Sequence, residues 1–413
     1  MPNLDLNVVD LNVAAVVAIF AGTYLVLALG QTPVFRIDRT GAALIGAILM
    51  VVVGRLSLDE AWRAIDHRTI ILLFGMMVLV ASLRLGWFFR ILGRRAVSSI
   101  GHPGALLVAV VFVSGALSAL FVNDTICLIF TPLLIEVAAA RRLPPLPFLL
   151  ALATSSNIGS TAAITGNPQN MLIGSLSGIS YASFLGALGP VALVGLAIDS
   201  AILLALFRRD LRPTPWTAGP EAIRPIHRAL TRKGILIAAG VLVAFLSGID
   251  TALVAAVAAA AVLVTRWVKP EKIYRQVDGG LLVLFMGLFV VIRGVEAAGI
   301  DRWLFDLLRP IGVDTVWGLS TVAAVLSNLT SNVPAVMLFS RVVPHLSDAR
   351  EAWLTLAMAS TLAGNLTILG SIANLIVVEG ARRHGIRVTF LEYFRVGLPV
   401  TLATLAFGVW WLS

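Results

Sequence analysis

Apolar runs close to the ~20 residues needed to cross a bilayer recur along this chain, and they constrain its fold more than any other feature. They include Leu11–Leu29, Gly41–Leu58, Thr69–Leu85, Pro103–Val122, Phe184–Phe207, Gly234–Leu246, Ala252–Val268 and Leu281–Ile292. With 59% hydrophobic and 13% charged residues over 413 positions, such a chain has too little polar surface to face water all round. Backbone polar groups inside a bilayer must be satisfied within the protein, and continuous apolar runs do this as helices. The expectation is an all-α polytopic membrane protein. Met1–Asp10 is acidic and lacks the basic region of a signal peptide, so the first run is expected to persist as a span.

The formal charge of +9 does not point to nucleic acid, because the excess sits in connections between the runs. The largest is Arg208–Lys233, where Arg208, Arg209, Arg212, Arg224, Arg228, Arg232 and Lys233 face only Asp210 and Glu221. The positive-inside rule puts it in the cytoplasm. With Pro213, Pro215, Pro220 and Pro225 it reads as a linker, 208–233, between a first membrane half, 1–207, and a second, 234–413. Cys127 is the single cysteine, which excludes an internal disulfide or thiolate cluster. His67, His102, His227, His345 and His384 lie in or beside polar connections, and neither a zinc-protease helix nor a phosphate-binding Gly-Lys loop is present. The chain therefore reads as a transporter with no cofactor or metal, and not as an enzyme. Its energy would come from an ion gradient or a separate ATPase subunit.

Two halves align by hand. Trp62-Arg63-Ala64-Ile65-Asp66 matches Tyr274-Arg275-Gln276-Val277-Asp278 (278 − 66 = 212), and the match runs on to Gly75 and Gly287. Asn123-Asp124-Thr125 pairs with Ser331-Asn332-Val333 (332 − 124 = 208), and Gly166–Asn170 with Gly370–Asn374 (374 − 170 = 204). Repeats of this kind in transporters place the pathway at the interface between halves, commonly with inverted topology.

Four stretches interrupt the apolar pattern where a span should continue: Phe121–Pro132, Thr154–Ile173, Ser327–Val336 and Ser360–Val377. Gly159, Gly166, Pro168, Pro334, Gly364 and Gly370 supply breaks, and Asn, Ser and Thr supply donors and acceptors. Single residues of these types also glue spans together. Breaks at repeat-related positions read instead as a binding site between half-helices. Asp124, a carboxylate in an apolar stretch, is a functional candidate by default and suits proton or ion coupling. Asp199 has no polar neighbour in sequence except Ser200 and serves packing equally well. Cys127 reads as a small buried apolar side chain. Arg84, Arg293, Glu296, Arg341 and Glu379 are expected to snorkel or pair, and Glu136 to be an interfacial charge.

These motifs, FVNDTICLIFTP, ITGNPQNMLIGSLSGISY, TSNVPAV and ILGSIANLIV in that order, resemble the ArsB/NhaD branch of the ion transporter superfamily. The Gly-Asn-Pro-Gln-Asn element looks like YbiR-type anion permeases. The resemblance covers about Ala42 to the C-terminus. It implies, in each half, scaffold spans plus a re-entrant helical hairpin and a broken transmembrane helix, and a homodimer through the scaffold. Carried over, Asn123, Asp124 and Thr125 form one hairpin tip and Ser331 and Asn332 the other, with unwound stretches at Ser156–Asn170 and Gly364–Asn374. Related sodium-coupled dicarboxylate carriers read Ser-Asn-Thr at the tips. Asp124 here would repel a dianion, and Val333 lacks the hydroxyl a sodium site would use.

The resulting substrate- and ion-binding set is Asn123, Asp124, Thr125, Asn157, Thr161, Asn167, Asn170, Ser331, Asn332, Asn365, Thr367, Ser371 and Asn374. None of the four stretches holds Lys or Arg, which favours an uncharged solute such as the arsenite or antimonite trihydroxide. Proton-coupled efflux of these metalloids across a bacterial cytoplasmic membrane leads. A small-anion permease comes next, since helix N-termini alone can hold anions, and sodium/proton antiport third.

Overall fold

The computed structural model describes residues 9–30, 37–53, 56–98, 100–211, 228–265, 267–300, 306 and 309–413. Among them there are helices, turns and no sheet. The first half carries α1 (Val9–Leu29), α2 (Arg39–Val52), α3 (Leu58–Ala64), α4 (His67–Leu85), α5 (Phe88–Ser98), α6 (Pro103–Leu120), α7 (Asn123–Ala140), α8 (Leu146–Ser160), α9 (Pro168–Ser177) and α10 (Tyr181–Leu206). The second carries α11 (Arg228–Leu246), α12 (Thr251–Leu263), α13 (Pro270–Tyr274), α14 (Gly279–Ala297), α15 (Val316–Thr330), α16 (Asn332–Phe339), α17 (Ala349–Ala363), α18 (Ile372–Arg383) and α19 (Phe390–Leu412). Seven of the described helices are long and apolar enough to span a bilayer: α4, α6, α7, α10, α11, α14 and α19.

The repeat is visible in the helix caps. Asp38 and Asp250 (250 − 38 = 212) accept from Gly41 N and Leu253 N at the starts of α2 and α12. Asp66 and Asp278 do the same for Arg68 N and Leu281 N at the starts of α4 and α14. An N-cap carboxylate satisfies orphan amides and favours the positive helix end, so the acids recur where helices must start. The run Gly41–Leu58 is not one helix. It stops near Val53, and Ser57 with Glu60 forms a capping box that starts the short α3. Ala252–Val268 likewise stops at Leu263, and Pro270 opens α13. Of the expected linker, 212–227 lies outside the described residues, and Arg228–Lys233 is already the first turns of α11.

Packing exchanges the halves: α2 lies along α14 and α4 along α12. The contact is backbone-close. A Cβ on Gly75 would stand 2.5 Å from Ala255 O, and one on Gly287 2.7 Å from Ala43 O, with 287 − 75 and 255 − 43 both 212. Gly75→Ala and Gly287→Ala are each expected to destabilise by about 1–3 kcal/mol through overpacking, with nearly additive effects in the double variant. Thermal unfolding in detergent checks this; an unchanged midpoint for the double variant would refute the close-approach account.

The remaining helices build a second unit around two almost fully buried rods. α8 packs on α6, α17 on α15, and α10 on α19. Every residue from Pro147 to Ser160 and from Ala352 to Ala363 is buried. Gly159 is not a breaker. It lies inside α8, where an added Cβ would meet Gly115 O at 2.1 Å, so its role is the α6–α8 approach. Among the described residues, polar contacts that tie the first unit to the second include Tyr24 Oη donating to Pro334 O (2.9 Å), Ser175 Oγ donating to Asp66 Oδ2 (2.6 Å) and the Arg341–Glu296 ion pair (3.2 Å).

Candidate functional site

The four interruptions become four local breaks, narrower than the sequence implies. α6 passes into α7 through Phe121-Val122, and α7 then runs unbroken through Pro132. α15 passes into α16 through Ser331 alone. Unwinding in the other pair is confined to Thr161–Asn167, with a 3₁₀ turn at Ile164–Gly166, and to Gly364–Ser371, with one at Ile368–Gly370. Ser156–Ser160 and Pro168–Asn170 are helical, because Pro168 at a first helical position and the Asn167 cap restart the helix at once.

The hairpin register also shifts. The helices restart at Asn123 and Asn332, and NDTICLIFT aligns with NVPAVMLFS, so the spacing is 332 − 123 = 209 and not 208. Asp124 then corresponds to Val333, not to Asn332. Helix geometry, with no tolerance for a one-residue slip, decides this.

The two unwound stretches are closed identically. Asn170 Nδ2 donates to Ser160 O (3.0 Å) and Ala163 O (3.2 Å), ten and seven residues back. Asn374 Nδ2 donates to Gly364 O (2.7 Å) and Thr367 O (3.0 Å), at the same offsets. Each amide satisfies carbonyls freed by the broken helix, which would otherwise be costly in a dry interior. Ser371 Oγ donates across to Asn157 Oδ1 (3.0 Å), and its repeat mate Asn167 donates to Thr361 Oγ1 (3.3 Å), the repeat mate of Asn157.

Asn157 is the hub. Its Oδ1 also accepts from Asn123 Nδ2 (3.1 Å), and its Nδ2 donates to Asn365 Oδ1 (2.9 Å) and Asn374 Oδ1 (3.0 Å). Asn365 Nδ2 donates on to Thr154 O (3.3 Å). A second knot forms at the other tip. With the Asn332 amide oriented to satisfy its neighbours, Nδ2 donates to Ser360 O and Gly370 O (both 3.1 Å) and to Ser327 Oγ (2.6 Å), and Oδ1 accepts from Gln169 Nε2 (3.1 Å). Gln169 also reaches Thr361 Oγ1 (3.3 Å).

The closures of the two breaks are not equivalent. Thr361 supplies no amide where Asn157 does, so buried Asn170 Oδ1 has no donor, whereas its mate Asn374 Oδ1 has one. Asp124 lies half-buried in the first turn of α7, beside Asn123, whose Oδ1 accepts from its backbone N–H (3.0 Å). Among the described residues no hydrogen-bond donor reaches its carboxylate. Thr125 is half-buried next to it. Thr161 Oγ1 turns back to Asn157 O (3.2 Å), and Thr367 Oγ1 reaches Asn328 Oδ1 at 3.5 Å, so both hydroxyls brace the breaks. Cys127 is buried, and its thiol donates to Ser156 Oγ (3.1 Å), a polar contact that its apolar neighbours in sequence do not announce. Ser327, Asn328, Gln169 and Thr361 were missed as site residues, although all lie in or next to the interrupted stretches. Of the charges expected to snorkel or pair, Arg293 and Arg341 meet Glu296, and Glu379 meets Arg382 and Arg383; Glu136, expected as an interfacial charge, pairs with Arg90.

Ser331 holds φ 79° and ψ 159°, a region nearly restricted to glycine. Ser331→Gly is expected to stabilise the protein by about 1 kcal/mol by releasing that strain, and Ser331→Val to destabilise it. The order of melting temperatures checks this; Gly melting below Ser would refute it.

Spans in two repeat-related sets, with broken helices whose polar segments interlock inside the protein, define a multi-pass membrane transporter. The chain belongs to the citrate transporter family, CitMHS, of the ion transporter superfamily, whose model matches residues 24–363. It is 34% identical to a silicon efflux transporter of Oryza sativa subsp. japonica, over 92% of this chain and 93% of the relative. It is 25% identical to a putative transporter arsB of Dictyostelium discoideum, over 90% and 87%. The crystal structure of the Alcanivorax borkumensis YdaH transporter, described as having an unusual topology, shares the fold with a TM-score of 0.57 at 15% identity, covering 98% of this chain and 97% of that one.

Proposed function

We propose that this protein is a proton-coupled exporter of small uncharged metalloid hydroxides, arsenite or antimonite and their close chemical relative silicic acid. The observation that carries the reading is the chemistry of the interlocked breaks. Their hydrogen-bonded partners are amides, hydroxyls and backbone carbonyls, with no cationic side chain among the described residues. Each hydroxyl of a polyhydroxylated neutral solute both donates and accepts, which such a surface matches, and Asn170 Oδ1 is a buried acceptor with no donor among the described residues. The relative named for silicon efflux and the one named arsB support the same solute class. In this reading the solute meets the tips at Asn123, Asp124, Thr125, Ser331 and Asn332, and Asp124 carries the coupling proton. The two halves meet across the basic segment after residue 207, in inverted orientation, in a bacterial cytoplasmic membrane. A homodimer through the first unit fits the resemblance, and a separate ATPase subunit is an alternative energy source.

A second reading is a small inorganic or carboxylate anion permease, and the family description, citrate transporter, favours its carboxylate form. Vesicles reconstituted with the protein and given a pH gradient discriminate between the two. The expected result is accumulation of arsenite or silicic acid and none of citrate or sulfate. Movement of citrate or sulfate without either hydroxide would replace the first reading by the second.

A further inference from the structure

Asp199 lies on α10, fully buried, and outside the polar segments described so far. The sequence shows it among apolar residues with Ser200 alone for company. The fold brings it against α8 and α19, where the small Gly195 one turn earlier admits Ile158 and Thr404. There Asp199 Oδ2 stands 2.9 Å from Thr154 Oγ1, and Oδ1 has no partner.

Counting protons decides what this contact can be. Thr154 Oγ1 has one hydrogen and three acceptors within reach, Asp199 Oδ2 at 2.9 Å, Leu150 O at 3.0 Å and Ala151 O at 3.4 Å. An ionised Asp199 would hold a full charge in the protein interior on one hydroxyl donor, with no ion pair to a cation among the described residues, an arrangement that buried charges do not tolerate. The helices packed on α10 offer no remedy. Tyr393 on α19 is a titratable neighbour of Asp199, and its hydroxyl makes no hydrogen bond to the carboxylate. Glu392 and Arg395 on α19, Arg350 and Glu351 on α17, and Arg228, Arg232 and Lys233 on α11 make no ion pair with it. A protonated Asp199 resolves the geometry: Oδ2–H donates to Thr154 Oγ1, whose own hydrogen goes to Leu150 O.

We propose that Asp199 is a second proton-binding site of this transporter, separate from Asp124 and loaded in the conformation described here. It connects to the interlocked breaks in two steps. Thr154, whose hydroxyl meets Asp199, offers its carbonyl to Asn365 Nδ2, and Asn365 Oδ1 accepts from the Asn157 hub. Removing the proton turns Thr154 Oγ1 wholly towards the carboxylate and places a charge behind the point where the two halves join. Movement of the broken helices would then be linked to release of this proton. The inference builds on the proton-coupled transport reading, but its test does not need a substrate.

Infrared spectroscopy of the full-length protein in lipid tests it, through the C=O stretch of a protonated carboxylic acid. At neutral pH that band is expected in the wild type and in Asp124→Asn, and is expected to be absent in Asp199→Asn. It should shift on transfer to D₂O and disappear on alkalinisation. A band unchanged by Asp199→Asn, or one that neither exchanges in D₂O nor titrates, overturns the proposal. If Asp199→Asn does not fold, Thr154→Val serves: loss of the hydroxyl partner should move the band to higher frequency, and an unmoved band counts against the site. Arsenite flux failing in the wild type, with the infrared result as expected, would overturn the solute reading alone.

Discussion

Asn157→Leu is expected to abolish transport and to destabilise the protein by about 3–5 kcal/mol, the largest effect of any single substitution in the site. The side chain accepts from Asn123 and Ser371 and donates to Asn365 and Asn374, all buried. Leucine is close in size, so the cost comes from orphaned partners, each worth about 1–3 kcal/mol before local rearrangement. Asn374 Oδ1 would join Asn170 Oδ1 as an acceptor without a donor. Asn157→Asp gives a sharper test. It keeps the shape and both accepted hydrogen bonds but sets an oxygen against Asn365 Oδ1 and Asn374 Oδ1, so it should fail nearly as badly. Solute flux in reconstituted vesicles and thermal unfolding in detergent measure the two effects. Wild-type flux in Asn157→Leu would remove the hub from the mechanism.

The second large effect is functional and leaves stability almost untouched. Asp124→Asn is expected to lower accumulation driven by a pH gradient by more than about tenfold, which corresponds to about 1.4 kcal/mol or more of lost coupling free energy. Among the described residues no donor reaches the Asp124 carboxylate, and it is only half-buried, so the amide replaces it without breaking a bond seen there. The melting temperature should therefore stay within the spread of neutral substitutions. Retention of full pH-driven accumulation would exclude Asp124 as the coupling group. The contrast with Asn157 is informative: one residue holds the halves together, and the other carries the only charge at a tip.

Much of this site was legible in the sequence because the requirements are local. Apolar runs betray spans, and Asp38, Asp66, Asp250 and Asp278 recur because each helix start leaves amides to be capped. Asn170 and Asn374 are recognisable for the same reason, since each closes carbonyls only seven and ten residues back. Where the reading slipped, the deciding contacts were distant. The hairpin register depended on which residue restarts each helix. The unwound stretches implied by the resemblance, Ser156–Asn170 and Gly364–Asn374, are longer than those found, because tertiary packing keeps Ser156–Ser160 in α8 and the helices restart at Pro168 and Ile372. Thr361 and Gln169 drew no attention because their partners lie about 190 residues away in the chain.

The sequence by itself determined that the chain spans a membrane in two repeat-related sets, that four polar breaks punctuate them, and that Asp124 has no acidic counterpart in the second half. Helix propensity, capping and hydrophobic periodicity act within a few residues, so one strand of text contains them. Only the tertiary structure decided which amides meet. It made Asn157 the junction of both halves, left Asn170 Oδ1 open, and set Asp199 against Thr154 instead of among apolar neighbours. Hydrogen bonds act over about 3 Å, and packing alone brings such partners that close.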